Sequence, residues 1–159
     1  MMLSILSIGN AEDNSKQNNK PIYSVRAEVK EIRNRTLEGK VRNHTVLIDQ
    51  PESFGADDKA PTPPELLAIS LGGCVVSTMQ FVAAQQKIEV KNIRVVVEGD
   101  IDYTTALGMC CSDRSGFTGF IVKISFDSKL SEKEKTEFID KVFKIGAVID
   151  KDRKSTRLN

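Results

Sequence analysis

The sequence predicts an α+β protein: a small antiparallel sheet packed on one long, buried central helix, with a second, amphipathic helix closing the layer. Three observations predict it. Residues 22–32 alternate apolar and polar side chains with the period of a strand, residues 66–84 carry no charge yet follow a helix capping signal, and Ser131 opens a second helix with a single apolar stripe.

With 159 residues the chain is long enough for one core. We expect a single domain over residues 21–149, a loose N-terminal arm over residues 1–20 and a polar tail over residues 150–159. Lys plus Arg is 23 against 22 for Asp plus Glu, so no global field recruits nucleic acid or an anionic membrane surface. Three cysteines, Cys74, Cys110 and Cys111, are too few for a disulfide scaffold and suit a reducing, cytoplasmic setting.

In the first strand Tyr23, Val25, Ala27 and Val29 alternate with Ser24, Arg26, Glu28 and Lys30, the pattern of a half-buried strand. Two short strands follow, over residues 35–41 with a turn signal at Glu38 and Gly39, and over residues 44–48. Residues 49–61 hold Gly, two Pro and four carboxylates and read as an exposed loop. The first helix starts from Thr62 as N-cap, with Pro63 at its first position and Glu65 completing a capping box. Its apolar residues run all round the cylinder, so every side of it needs cover. A membrane span is rejected, because Ser70, Gly72, Gly73, Ser77, Thr78 and Gln80 dilute the apolarity and the flanking segments are amphipathic strands. Strands are expected over residues 93–97 and 119–126, separated by a loop with Cys110, Cys111, Arg114 and Phe117. The second helix pairs Ser131 with Glu134 in another capping box, buries Phe138, Ile139, Val142 and Phe143, and ends at Gly146. One sheet looks too small to cover the first helix, which predicts a homodimer with paired central helices between two sheets.

Cys74 follows Gly72 and Gly73 inside this helix, and each interior glycine costs roughly 1 kcal/mol relative to alanine. Close approach of a partner helix or a ligand to the backbone is the usual compensation. Ser70, Ser77 and Thr78 lie on the same side and offer hydroxyls to a thiolate. Two readings stand side by side: a reactive thiolate, or a cysteine packed as a small hydrophobe. His44, the only histidine, has no partner at metal-ligand or dyad spacing, and no cofactor or metal motif is present.

The segment DQPESFGADDKAPTPPELLAISLGGC, residues 49–74, with DRSGF at residues 113–117, resembles the OsmC/Ohr family, in particular its less characterised OsmC-like branch. The resemblance implies an intertwined homodimer and a thiol-dependent peroxidase that reduces organic hydroperoxides. Cys74 would match the attacking cysteine. Peroxidase members carry a resolving cysteine in a C-P-V near the end of the second helix, where this chain has Gly146, Ala147 and Val148. Resolution would then fall to an external thiol reductant, or to Cys110 or Cys111. An assisting acid stands ten positions before the cysteine in the Ohr branch; here Pro64 occupies that place and Glu65 stands nine before. Nine residues put Glu65 on the opposite side of a regular helix, roughly 13 Å along the axis, so it would act as a cap or across a dimer. For the cation that lowers the thiol pKa the candidates are Arg35, Arg42 and Arg114, with Arg35 nearest the family's position. The alternative is a non-catalytic dimer that binds an apolar small molecule or serves a stress-related role, with Cys74 structural.

Overall fold

The computed structural model describes residues 22–109 and 116–146 and the backbone of residues 156–158. The N-terminal arm, Cys110, Cys111, Arg114 and most of the tail lie outside the described residues.

The chain begins with a three-stranded antiparallel meander, β1 (Ala27–Arg33), β2 (Thr36–Val41) and β3 (His44–Ile48), in the order β1-β2-β3. Turn geometry sets the register: Asn34 and Arg35 both have positive φ, which joins Arg33 to Thr36 through a two-residue hairpin. Arg42, with φ 52°, opens the second turn, and Val41 pairs with His44. The turn expected at Glu38 and Gly39 is instead the middle of β2, where Gly39 pairs with Val29 on one side and Val46 on the other. The actual turns use Asn and Arg rather than Gly, so they carried less signal.

A loop with a short 3-10 turn at Glu52–Phe54 leads into α1 (Pro63–Gln86). Both halves of the predicted capping box form: Glu65 Oε2 accepts the Thr62 N–H at 2.7 Å, and Thr62 Oγ1 accepts the Glu65 N–H at 3.4 Å. The helix ends where Lys87 turns left-handed at φ 55° and returns its N–H to Ala83 and Ala84. By length and composition α1 could cross a membrane, but it packs on β4 (Val90–Glu98) and α2 (Glu132–Ile145) as a core helix does. Between β4 and α2 come the small pair β5 (Ile101–Asp102) and β6 (Gly116–Phe117), unforeseen because two-residue strands have no periodicity, and then β7 (Phe120–Ser128). β4 pairs antiparallel with β7, and a bulge at Asn92 is tied off by its amide, which donates to Asp127 at 2.6 Å. The α2 capping box also forms, with Glu134 Oε2 accepting the Ser131 N–H at 2.7 Å.

The core lies between α1, α2 and the inner face of β7: Val75, Met79, Val82, Ala83, Val122, Phe138 and Val142 are buried together. Phe138 meets Phe126 with ring centroids 5.7 Å apart at 47°. Within the polar tail, the backbone of β8 (Thr156–Leu158) pairs in parallel with the start of β7. Ladder pairing uses backbone groups alone, so side-chain polarity does not forbid it.

Two expectations of burial are not met within one chain. β1 is exposed throughout, with Val29 56% and Ile32 51% accessible, because among the described residues the β1-β2-β3 sheet has no extensive packing on either helix of its own chain. α1 is covered on one side only: Ile69 is 61% and Phe81 57% accessible. Sheet and helix therefore each present an uncovered apolar face.

Asp49, at the end of β3, is a fully buried acid. The Lys59 backbone N–H donates to its Oδ2 at 2.9 Å and Thr36 Oγ1 donates to Oδ1 at 3.4 Å. The Lys59 amide, foremost, holds this carboxyl below the usual aspartate value near 3.8. The Lys59 ammonium and the Asn34 amide do the same for Asp57. A carboxyl lowered by folding contributes stability above its unfolded pKa and loses it as pH falls through the folded one. Thermal melts should therefore hold steady from pH 7 to about 5 and fall steeply below about pH 4. A melting temperature unchanged at pH 3 would show that these bonds contribute nothing.

Candidate functional site

Cys74 sits at the middle of α1, half-buried, with its Sγ 4.0 Å from Thr78 Oγ1 one turn on. At 100° per residue it is one step round the cylinder from Val75, which is buried in the core, and one step from Gly73, which is exposed. The sulfur therefore lies on the flank between the packed face and the open face. Leu67 and Phe81, seven residues either way, share that flank and are both exposed, so the ground around the thiol is apolar and accessible. Among the described residues the Thr78 hydroxyl is its polar neighbour.

The two glycines before it do different work. A Cβ on Gly72 would meet Val97 at 3.4 Å and Val95 at 3.9 Å, so Gly72 lets α1 lie close on β4. A Cβ on Gly73 would meet nothing within 4 Å. Ser70, Gly73, Ser77 and Ala84 form an exposed strip of small residues on the side of α1 opposite the core.

Glu65 is placed by its cap, with Oε2 taking both the backbone N–H and the hydroxyl of Thr62, at 2.7 and 2.9 Å. These two bonds, the backbone one first, hold its carboxyl below the usual glutamate value near 4.5. Two turns and a half of helix separate it from Cys74, as its spacing requires.

Arg35, expected at the start of a strand, occupies the second position of the β1-β2 turn at φ 68° and is exposed. Among the described residues its side chain makes no hydrogen bond or ion pair, and nothing in its own chain ties it to Cys74. Arg42 lies at the next turn, and His44 is an exposed first residue of β3. Sequence reasoning passed over the acids beside Arg35. Asp57 accepts from Asn34 at 2.8 Å and from Lys59 at 2.6 Å and lies 3.9 Å from Arg33. The Asp and Lys richness of the loop suggested solvation rather than pairing. Among the described residues no His, Cys, Asp and Glu gather as metal ligands. A separate cleft of about 260 Å³ lies between β7 and α2, floored by Val122, Ile124, Phe126 and Ile139 and edged by Glu132, Lys135, Thr136 and Asp140.

A model of the OsmC-like protein family matches residues 56–150, which include α1, Cys74 and α2. The chain belongs to the OsmC-like family. Solved OsmC-like structures share its fold. It superposes on the OsmC-like protein of Mycoplasma pneumoniae with a TM-score of 0.69 at 20% identity, covering 87% of this chain and 94% of that one. An OsmC-like protein of unknown function from Vibrio cholerae gives 0.72 at 11% identity over 87% and 99% of the two chains. The organic hydroperoxide resistance protein OsmC of Legionella pneumophila gives 0.62 at 18% identity over 88% and 96%. No curated protein matches the chain in sequence. The α+β layout read from the sequence is thus that of the OsmC-like fold.

Proposed function

We propose that the protein is a thiol-dependent peroxidase that reduces organic hydroperoxides through Cys74 and works as a cytoplasmic homodimer. The observation that carries this reading is the setting of the sulfur: a half-buried thiol on an exposed, apolar flank of the family's central helix, between Leu67 and Phe81. An apolar hydroperoxide can reach it there, and the Thr78 hydroxyl can donate to a thiolate or to the departing oxygen. Several relatives in fold are named organic hydroperoxide resistance proteins, the Legionella pneumophila structure among them.

In the reaction the Cys74 thiolate attacks the terminal peroxide oxygen. The S–O bond forms as the O–O bond breaks, and the leaving alkoxide takes a proton to become the alcohol. A thiol then displaces water from the sulfenic acid to give a disulfide with Cys74, and a second thiol releases Cys74. With Gly146 at the end of α2 and Ala147 and Val148 after it, no thiol stands at that place, so the reductant is an external thiol, or Cys110 or Cys111 takes the first step.

The uncovered faces of α1 and of the β1-β2-β3 sheet support the dimer. Two copies of α1 can approach along the small-residue strip, each sheet then covering helix surface that one chain leaves bare. Arg35 on the hairpin tip of one copy would supply the cation for Cys74 of the other.

The cleft between β7 and α2 favours a second reading, a dimer that binds a small apolar molecule without turnover and keeps Cys74 as filler. Treating the purified protein with one equivalent of cumene hydroperoxide and a dimedone-type trap separates the two. Rapid labelling at Cys74 is expected; an unlabelled sulfur under excess peroxide leaves the binding reading alone.

A further inference from the structure

The β1-β2 turn is built against local preference. Asn34 and Arg35 have φ of 45° and 68°, a geometry that Asn-Gly adopts without strain and that an arginine at the second position resists. A strained residue persists where its surroundings over-determine it. Here they do. On one side of Arg35, Asp57 Oδ1 accepts the Asn34 side-chain N–H at 2.8 Å, with Arg33 3.9 Å from Oδ2. On the other side, buried Asp49 accepts the Thr36 hydroxyl at 3.4 Å. The two acids belong to one loop, joined through Lys59, whose ammonium reaches Asp57 at 2.6 Å and whose backbone N–H reaches Asp49 at 2.9 Å. That loop closes on itself where the Asp49 N–H donates to the Pro61 carbonyl at 3.2 Å, one residue before the N-cap of α1. Every neighbour of Arg35 in the turn is fastened, and its own guanidinium is left exposed and unpaired among the described residues.

We propose that Asp57, backed by Asp49, is a positioning residue that holds the Asn34–Arg35 turn so that the Arg35 guanidinium is delivered in one place to the Cys74 site of a second copy. This rests on the Cys74 reading given above. Among the described residues the sheet bearing Arg35 has no extensive packing on its own α1, and Arg35 is exposed, which leaves the cation free for a second copy. An arginine on a mobile loop is solvated and screened and must lose conformational freedom each time it meets an anion; a clamped one has lost it already. The clamp therefore strengthens the cation's hold on the thiolate.

The test uses the full chain and three variants, Asp57→Ala, Arg35→Ala and the double variant, with two readouts. Hydrogen exchange of the amides of residues 34–36 should quicken by about tenfold or more in Asp57→Ala; unchanged exchange overturns the clamp whatever Cys74 does. The pH profile of Cys74 alkylation by iodoacetamide, followed on the Cys74 peptide, should move to higher pH in both single variants, by about one unit, a tenfold loss of thiolate at a given pH. The double variant should move no further than Arg35→Ala, because Asp57 acts through Arg35. Additive displacements overturn the proposal, and so does a profile that Asp57→Ala leaves in place. Asn34→Gly, which relaxes the turn while deleting its bond to Asp57, should reproduce the loosened exchange without risk of misfolding. If the wild-type chain consumes no hydroperoxide while the profiles still move together, the peroxidase reading fails and the clamp stands. If it consumes hydroperoxide and Asp57→Ala changes neither readout, the reverse holds.

Discussion

Cys74→Ser should abolish hydroperoxide consumption while leaving the melting temperature of the chain nearly where it was. The substitution removes the only feature of Cys74 that the proposed chemistry uses. A thiol forms the nucleophilic thiolate far more readily than a serine hydroxyl forms an alkoxide, and among the described residues no histidine stands by to activate a hydroxyl. The fold has little stake in the sulfur: it is half-buried, its polar neighbour Thr78 accepts or donates to a hydroxyl as readily, and serine is no worse in a helix than cysteine. The expected stability change is within about 1 kcal/mol. Consumption of cumene hydroperoxide with a dithiol reductant, followed beside thermal melts, measures both. Wild-type turnover in the variant would move the chemistry to Cys110 or Cys111. A melting temperature lowered by many degrees would make Cys74 a packing residue and favour the binding reading.

The elements that could be read from the sequence are those whose signal is local. Both capping boxes, Thr62 with Glu65 and Ser131 with Glu134, formed as predicted, because capping is decided within four residues. The stripe of α2 likewise placed its buried residues, Phe138 and Val142. What escaped was set by partners far along the chain. The Asn34–Arg35 turn is stabilised by Asp57, 23 residues on from Asn34, a contact that no local pattern announces. Buried Asp49 was hidden for the same reason, since a loop with four carboxylates looks uniformly solvated until its own backbone is seen to fold over one of them. At the site, Gly72 and Gly73 were legible as a request for close approach but not as two different requests. Only the packed chain shows that β4 answers the first and leaves the second open.

That open position yields the other large effect. Gly73→Leu should leave the single chain folded, and slightly more stable, yet prevent two chains from pairing. In the chain alone the new side chain meets nothing, since even a Cβ at Gly73 has no atom within 4 Å. Leucine also favours helix over glycine by about 0.8 kcal/mol. If a second α1 lies along Ser70, Gly73 and Ser77, the same side chain stands where the partner backbone must come. Helices packed through small residues approach closer than the usual 8–10 Å, and a leucine restores that spacing or more. The sheets that should cover each α1 would then lose their seat. Sedimentation velocity should show the variant at half the wild-type mass, with its own α1-α2 core intact by circular dichroism. A dimer as tight as the wild type's would mean that the paired surface lies elsewhere. The exposed Ile32 and Val29 of β1 would then be the next apolar face to examine. An α1 freed from its partner would also part Cys74 from the second copy's Arg35, so the same variant should slow Cys74 alkylation at neutral pH although its own thiol is untouched.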